Sequence, residues 1–402
     1  ERQRAQRADR QQIRRVRTWW LSRLIETPRP LEEKMTLFWH GHFATSYRKV
    51  EDSWLMFRQN QVFRSNAVGD FGDLLRGIIR DPAMIVYLDN NRSSQRSPNE
   101  NLARELMELF SLGEGNYTER DIKEGARALT GYNYDDNDFV FQDRRHDKGM
   151  KRILGRSGRL DGEGFVSAIL AKRACSEFIC TKLYRFFVAD VPMDPDAMPQ
   201  HARRFIARLA SVLRENEYRL APVLTKLFES EHFYHASVRA EQIKSPTTLV
   251  VGAIRSLRPP QRDINVLGDA LDLMGQSLFL PPSVKGWPGG RAWINTSTLF
   301  VRQNIMNYIL TGKLPQGSGR SGEGMPFNAE TITAELARMD PSGALDAERV
   351  SEFLMRFALG RQPEHGRQTL AEFVESVGGR VTPEIVTGML VLVCAMPEYQ
   401  LC

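Results

Sequence analysis

The chain has 402 residues, of which 42% are apolar and 26% charged. That composition excludes a wholly disordered polymer and is ample for a large core, in one big domain or two to three smaller ones. The 55 basic and 49 acidic residues leave a formal net charge of +6, too modest to mark a nucleic-acid binder. No apolar run approaches the roughly 18 residues of a membrane span. Four cysteines cannot form a disulfide framework in so long a chain.

The chain begins without a methionine and without an apolar leader run, so no signal peptide is visible; a processed chain would look the same. Seven arginines fall between Arg2 and Arg17. Ile13, Val16, Trp20 and Leu24 recur at helical spacing within the same stretch, which predicts an amphipathic helix ended by Pro28 and Pro30. Its arginine side is either a solvated face or a contact for nucleic acid or acidic lipid, and the solvated face is the simpler reading. A second helix is expected from Leu31 to Phe43. Ser97-Pro98-Asn99-Glu100 reads as an N-cap, first-turn proline and capping-box glutamate, with Gly113 as the stop. Thr118 with Asp121 begins another helix that Gly131 ends. Tyr132, Tyr134, Phe139 and Phe141 flank the turn-like Asp135–Asp138, predicting a β-hairpin within an insertion over about 132–158. Helical periodicity then returns to about Leu257 and again from Val266 to Phe279. Residues 281–290 form a proline- and glycine-rich loop before a helix near Trp293. Residues 316–324 have linker composition, and 325–402 read as a small helical unit.

The fold expected is therefore mainly α: a multi-helix globular domain over 1–315 with a small β-hairpin insertion, and a short helical C-terminal unit.

Several residues carry candidate chemistry. In His40-Gly41-His42 the imidazoles point about 200° apart on a helix, so they do not converge on one ion. His42 falls on the row of Leu31, Met35 and Phe38 and is the expected inward histidine, as a core residue or a catalytic one. Glu100, Arg104 and Glu108 are spaced by four and are explained by a surface charge ladder. Glu105 instead falls inside the arc of Leu102, Leu106, Leu109 and Phe110, where a carboxylate needs an arginine, a histidine or a metal as partner. His146-Asp147-Lys148-Gly149 offers a general base, a ligand or a turn-stabilising hydrogen bond, all three left open. Lys285-Gly286-Trp287-Pro288-Gly289-Gly290 reads as a binding loop or a rigid connector. No phosphate-binding loop, zinc-protease helix, nucleophile elbow or paired C-x-x-C occurs. Cys175 and Cys180 diverge around a helix, which favours buried free thiols.

Together these segments resemble the bacterial "domain of unknown function 1800" family. The resemblance lies in 32–46 (EEKMTLFWHGHFATS), 99–113 (NENLARELMELFSLG) and 117–131 (YTERDIKEGARALTG). It continues through His146–Gly149, 178–187 (FICTKLYRFF), Lys244–Pro246, 281–295 (PPSVKGWPGGRAWIN) and the ending at Pro397-Glu398-Tyr399. The usual stretch before the opening helix is missing, which suggests a processed or truncated chain, and Asp135–Asp138 looks specific to this member. The resemblance implies an exported bacterial protein, periplasmic or extracellular in the cell envelope. It also implies association with a partner like the alkaline-phosphatase and sulfatase superfamily, and it supplies no catalytic residue set.

Two functions follow as expectations. The first is a structural or accessory subunit of a cell-envelope assembly, preferred because no nucleophile–base pair or metal motif is explicit. The alternative is an envelope enzyme, hydrolytic by class. Its pocket would gather His42, Glu105 and His146 as catalytic groups, with Arg104, Lys285 and Trp287 binding an anionic substrate; the same His/Glu set is competent to hold a metal. The metal and cofactor are unknown, and nucleic acid is not an expected partner.

Overall fold

A computed structural model describes residues 2–314, 324–339 and 345–402. Among these residues the protein is mainly α-helical, with two small two-stranded hairpins. The chain separates into two compact units, Glu1–Arg239 with Leu278–Pro288, and Ala240–Ser277 with Gly289–Cys402. This partition runs at positions other than the expected 1–315, 316–324 and 325–402, and residues 316–323 of the expected linker lie outside the described residues.

The first unit opens with α1 (Arg2–Glu26), α2 (Pro30–His42), α3 (Tyr47–Val50), α4 (Ser53–Ser65), α5 (Phe71–Ile78) and α6 (Pro82–Tyr87). Short polar side chains start several of these helices. Asp52, Asp70 and Asp81 accept backbone N–H groups of the first turns of α4, α5 and α6, satisfying donors that a helix start leaves unpaired. Next come α7 (Asn101–Glu108) and α8 (Glu119–Ala128), the latter opened by the expected Thr118–Asp121 capping box.

The expected start of α7 at Ser97 is not used. Ser94 and Ser97 exchange backbone hydrogen bonds, Asn99 donates its backbone N–H to Ser93 Oγ at 3.0 Å, and its side chain reaches the Asp89 carbonyl at 3.1 Å. These bonds hold 97–100 as an irregular turn, and Asn99 Oδ1 accepts the Asn101 N–H at 2.9 Å. The helix also stops early, at Glu108. A tight turn carries the chain to Gly113, whose φ of +80° suits glycine.

The insertion holds two hairpins rather than one. Strands β1 (Tyr132–Asp135) and β2 (Asp138–Phe141) pair around Asp136-Asn137; β3 (Lys151–Ile153) and β4 (Arg156–Gly158) pair around Leu154-Gly155. The unit continues through α9 (Gly162–Leu170), α10 (Arg173–Phe187), α11 (Gln200–Glu215), α12 (Leu220–Phe228) and α13 (Glu231–Tyr234). One apolar cluster runs through it, with Trp39, Phe43, Phe63, Phe71, Phe110 and Phe165 fully enclosed. Cys175 and Cys180 are buried free thiols within that cluster.

The second unit contains α14 (Pro246–Leu257), α15 (Ile264–Leu273), α16 (Thr296–Thr311), α17 (Glu330–Met339), α18 (Ala347–Leu359), α19 (Glu364–Ser376) and α20 (Pro383–Ala395). Ser245 caps α14 and Pro246 fills its first turn. The chain end folds back on this start: Lys244 N–H donates to the Gln400 carbonyl at 2.8 Å, and Lys244 Nζ donates to the Tyr399 carbonyl at 2.7 Å. Arg302 on α16, fully buried, donates to the Lys244 carbonyl at 2.8 Å and to Gln400 Oε1 at 3.3 Å. The Lys244–Pro246 and Pro397–Tyr399 segments are thus two halves of one clasp.

Candidate functional site

The His40-Gly41-His42 segment ends α2, which the first unit covers on both sides, so both imidazoles are buried rather than His42 alone. His42 Nε2 lies 2.9 Å from the Phe110 carbonyl, an acceptor only, so that nitrogen carries the proton. Its Nδ1 is then a lone pair, buried without a donor among the described residues. The rings of Phe38, Trp39, Phe43, Phe110 and Phe178 surround it. Burial, with the Lys182 charge adding to it, depresses the His42 pKa to about 3. His40 is the opposite tautomer: its Nε2 accepts the Phe279 N–H at 3.0 Å, and burial brings its pKa to about 3.

Both histidines are therefore neutral in the folded chain and free to charge in the unfolded one. Their stabilising contribution is complete above the unfolded pKa of about 6.5 and is lost progressively as pH falls towards the folded value. Each steepens the loss by up to about 1.4 kcal/mol per pH unit in that window. Thermal unfolding from pH 7.5 to about 4.5 should show a smaller fall in Tm for His42→Gln than for the wild type.

The backbone between the histidines meets a glycine of a later loop. A Cβ on Gly286 would lie 2.2 Å from the Gly41 carbonyl oxygen, so the chain at Gly286 approaches α2 backbone to backbone. Trp287 then packs its ring edge-to-face on His40 at 5.4 Å between centroids. Its indole N–H is buried without an acceptor among the described residues.

The fully enclosed carboxylate of α2 is Glu33, which the sequence reading did not single out as a site. Arg64 of α4 grips it twice, Nε to Oε1 at 2.6 Å and Nη2 to Oε2 at 3.0 Å. Trp20 Nε1 donates at 2.9 Å, and Arg23 Nε adds a further bond. Burial pushes the Glu33 carboxyl up; the hydrogen bonds and charge of Arg64, with Arg23 and Trp20, outweigh it and hold the pKa below the ordinary value. These partners lie 10, 13 and 31 residues away in sequence, so no local spacing announces them.

Glu105 is only half-buried, and its carboxylate has no hydrogen bond or ion pair among the described residues. Burial raises its pKa, Glu108 raises it further, and the Arg104 and Lys285 charges oppose the rise. Arg104 itself is spent on Glu119 at 2.9 and 3.0 Å and on Glu100 at 3.3 Å. Lys285 is exposed.

His146 is buried under Phe141, with Nδ1 2.8 Å from the Thr130 carbonyl. Its neighbour Asp147 closes a clip on α8. Arg127 donates to both Asp147 oxygens at 2.7 and 3.1 Å, and Asp147 N–H donates to Thr130 Oγ1 at 2.8 Å. Asp147 is held below the ordinary carboxylate range chiefly by Arg127.

No hydrogen bond or ion pair joins His42, Glu105 and His146 to one another among the described residues. Nor do three or more His, Cys, Asp or Glu side chains there form a group able to hold a metal. What the arrangement does bring together is Glu105 with Arg104 and Lys285, through charge rather than contact. Lys182 was missed by sequence reasoning: it packs over Phe178 at 5.4 Å, and burial lowers its pKa to about 8.

These features define a mainly α-helical protein with a double-hairpin insertion, in which short motifs lock distant segments together. The family model described as "Protein of unknown function (DUF1800)" matches residues 1–401, and the chain belongs to that family. Comparisons with curated proteins and with solved structures gave no match.

Proposed function

We propose that the chain is an exported bacterial protein of the cell envelope, periplasmic or extracellular, serving as a structural or accessory subunit of an assembly. One observation carries this reading: the histidines of the motifs, with Asp147, are engaged in holding the fold. His40 ties α2 to Phe279, His42 ties it to Phe110, and the residue after His146 clips the hairpin insertion to α8. A general base needs access to substrate and a pKa near the working pH, and a buried imidazole at about 3 has neither.

A surface feature of the second unit agrees with a partner. Leu273 at the end of α15 and Phe300 in the first turns of α16 are 68% and 65% exposed. Covering them would remove apolar area from water, which makes them the positions at which a partner is tested. The envelope partner we propose resembles the alkaline-phosphatase and sulfatase superfamily. The test is the size of the complex extracted from native envelopes. A defined assembly that Leu273→Glu/Phe300→Glu disperses is the expected result. A single free chain in the envelope fraction, or an assembly indifferent to both changes, contradicts it.

Glu105 favours a second reading as an enzyme, because its half-buried carboxyl is raised and flanked by Lys285 and Arg104. Glu105→Gln separates the two. With no hydrogen bond to lose, it should change stability by no more than about 0.5 kcal/mol in denaturant unfolding. A turnover that disappears in this folded variant would establish the enzyme reading.

A further inference from the structure

The amino-terminal arginines are not spread evenly. Arg10, Arg14 and Arg17 recur along one side of α1, and with Arg48 of α3 they line a groove of about 360 Å³. Arg10, Arg14 and Arg48 are exposed, and their side chains form no hydrogen bond or ion pair among the described residues. Arg10 and Arg14, four apart on a helix, repel each other. Elsewhere in the same unit, guanidiniums that point at one place meet acids, as Arg76 and Arg80 meet Glu163.

The groove has two acids as well, and one of them is engaged. Asp9 accepts from Tyr47 Oη at 2.6 Å, from Ser53 Oγ at 2.6 Å and from Ser53 N–H at 2.9 Å. Those three bonds fasten α1 to α3 and α4 and fix the wall on which the arginines stand. Glu51, the other acid lining the groove, is exposed and forms no ion pair among the described residues.

We propose that this groove binds the phosphate groups of a polyanionic ligand. Guanidinium presents a planar fork of donors that matches phosphate oxygens two at a time. Forks arriving from two helices bracket a tetrahedral group better than a flat carboxylate. A single exposed arginine gains little from one anion in water, so useful affinity needs one ligand that spans several guanidiniums, and the groove volume accommodates more than one phosphate.

The experiment uses the full chain and two probes. Inorganic tripolyphosphate is titrated calorimetrically, and phosphatidylcholine vesicles with and without phosphatidylglycerol are tested by co-sedimentation. Arg10→Gln/Arg14→Gln removes two charges from the groove, and Arg4→Gln/Arg15→Gln removes two exposed charges outside it. Circular dichroism verifies that both variants stay folded. For at least one probe, the groove variant should weaken binding by roughly tenfold or more and the control by less than about twofold. Tripolyphosphate affected in this way identifies a soluble polyphosphate. Sedimentation that needs phosphatidylglycerol and is lost in the groove variant identifies a lipid headgroup. Failure of the wild type to take up either probe, or equal loss in both variants, overturns the proposal.

Discussion

Glu33→Gln is expected to destabilise the first unit by about 3–5 kcal/mol, because it leaves Arg64 buried with its charge uncompensated. Arg64 is 8% exposed, so where it stands most of its guanidinium would be left with neither water nor a counter-charge. Arg23 is more exposed, so Arg23→Gln should cost much less. The double variant Glu33→Gln/Arg64→Met should recover most of the loss, since an apolar pair of similar volume replaces a buried ion pair at little net cost. Five of the six tryptophans belong to this unit, so intrinsic fluorescence in a denaturant titration reports its unfolding specifically. An unaltered midpoint for Glu33→Gln would mean that the cluster contributes nothing.

The second large effect is expected at Gly286. Alanine there would place a methyl group 2.2 Å from the Gly41 carbonyl oxygen, at a φ of +79°. The obstacle is backbone, which cannot swing aside. The strained conformation alone costs about 1–3 kcal/mol, and relieving the clash requires the loop to leave α2, exposing Trp287 and the face of His40. A red shift in tryptophan emission and greater access to a collisional quencher are the readouts. Gly289→Ala is the control: φ is +72°, but nothing lies within 4 Å of the added carbon. It should show the conformational cost without the spectral change.

Local chemistry made part of this structure legible in the sequence. The capping box at Thr118 and Asp121, the turn at Asp136-Asn137 and the amphipathic opening helix depend on residues a few positions apart, and they stand where the spacing put them. The Ser97 cap did not, because Ser93 and Asp89 captured the polar groups of that segment first. The spacing placed Glu105 in an apolar arc, yet the side chain is half-buried and unpartnered because α7 ends four residues early. The carboxylate that does need partners, Glu33, draws them from α1 and α4, and no periodicity along α2 reveals that. In the same way His40 looked outward on a helical wheel until residues 278–288 returned to cover its face.

We infer that the paired histidines of α2 act as neutral clasps and not as proton carriers. Selective labelling of the histidine rings, followed by NMR over pH 8 to about 4.5 in the folded chain, tests it most directly. The His40 and His42 resonances should stay fixed in single tautomers, protonated on Nδ1 and Nε2 respectively, as pKa values of about 3 require. Titration of the His42 ring with a midpoint near 6.5, the ordinary value, would contradict the account and return that residue to the role of general base.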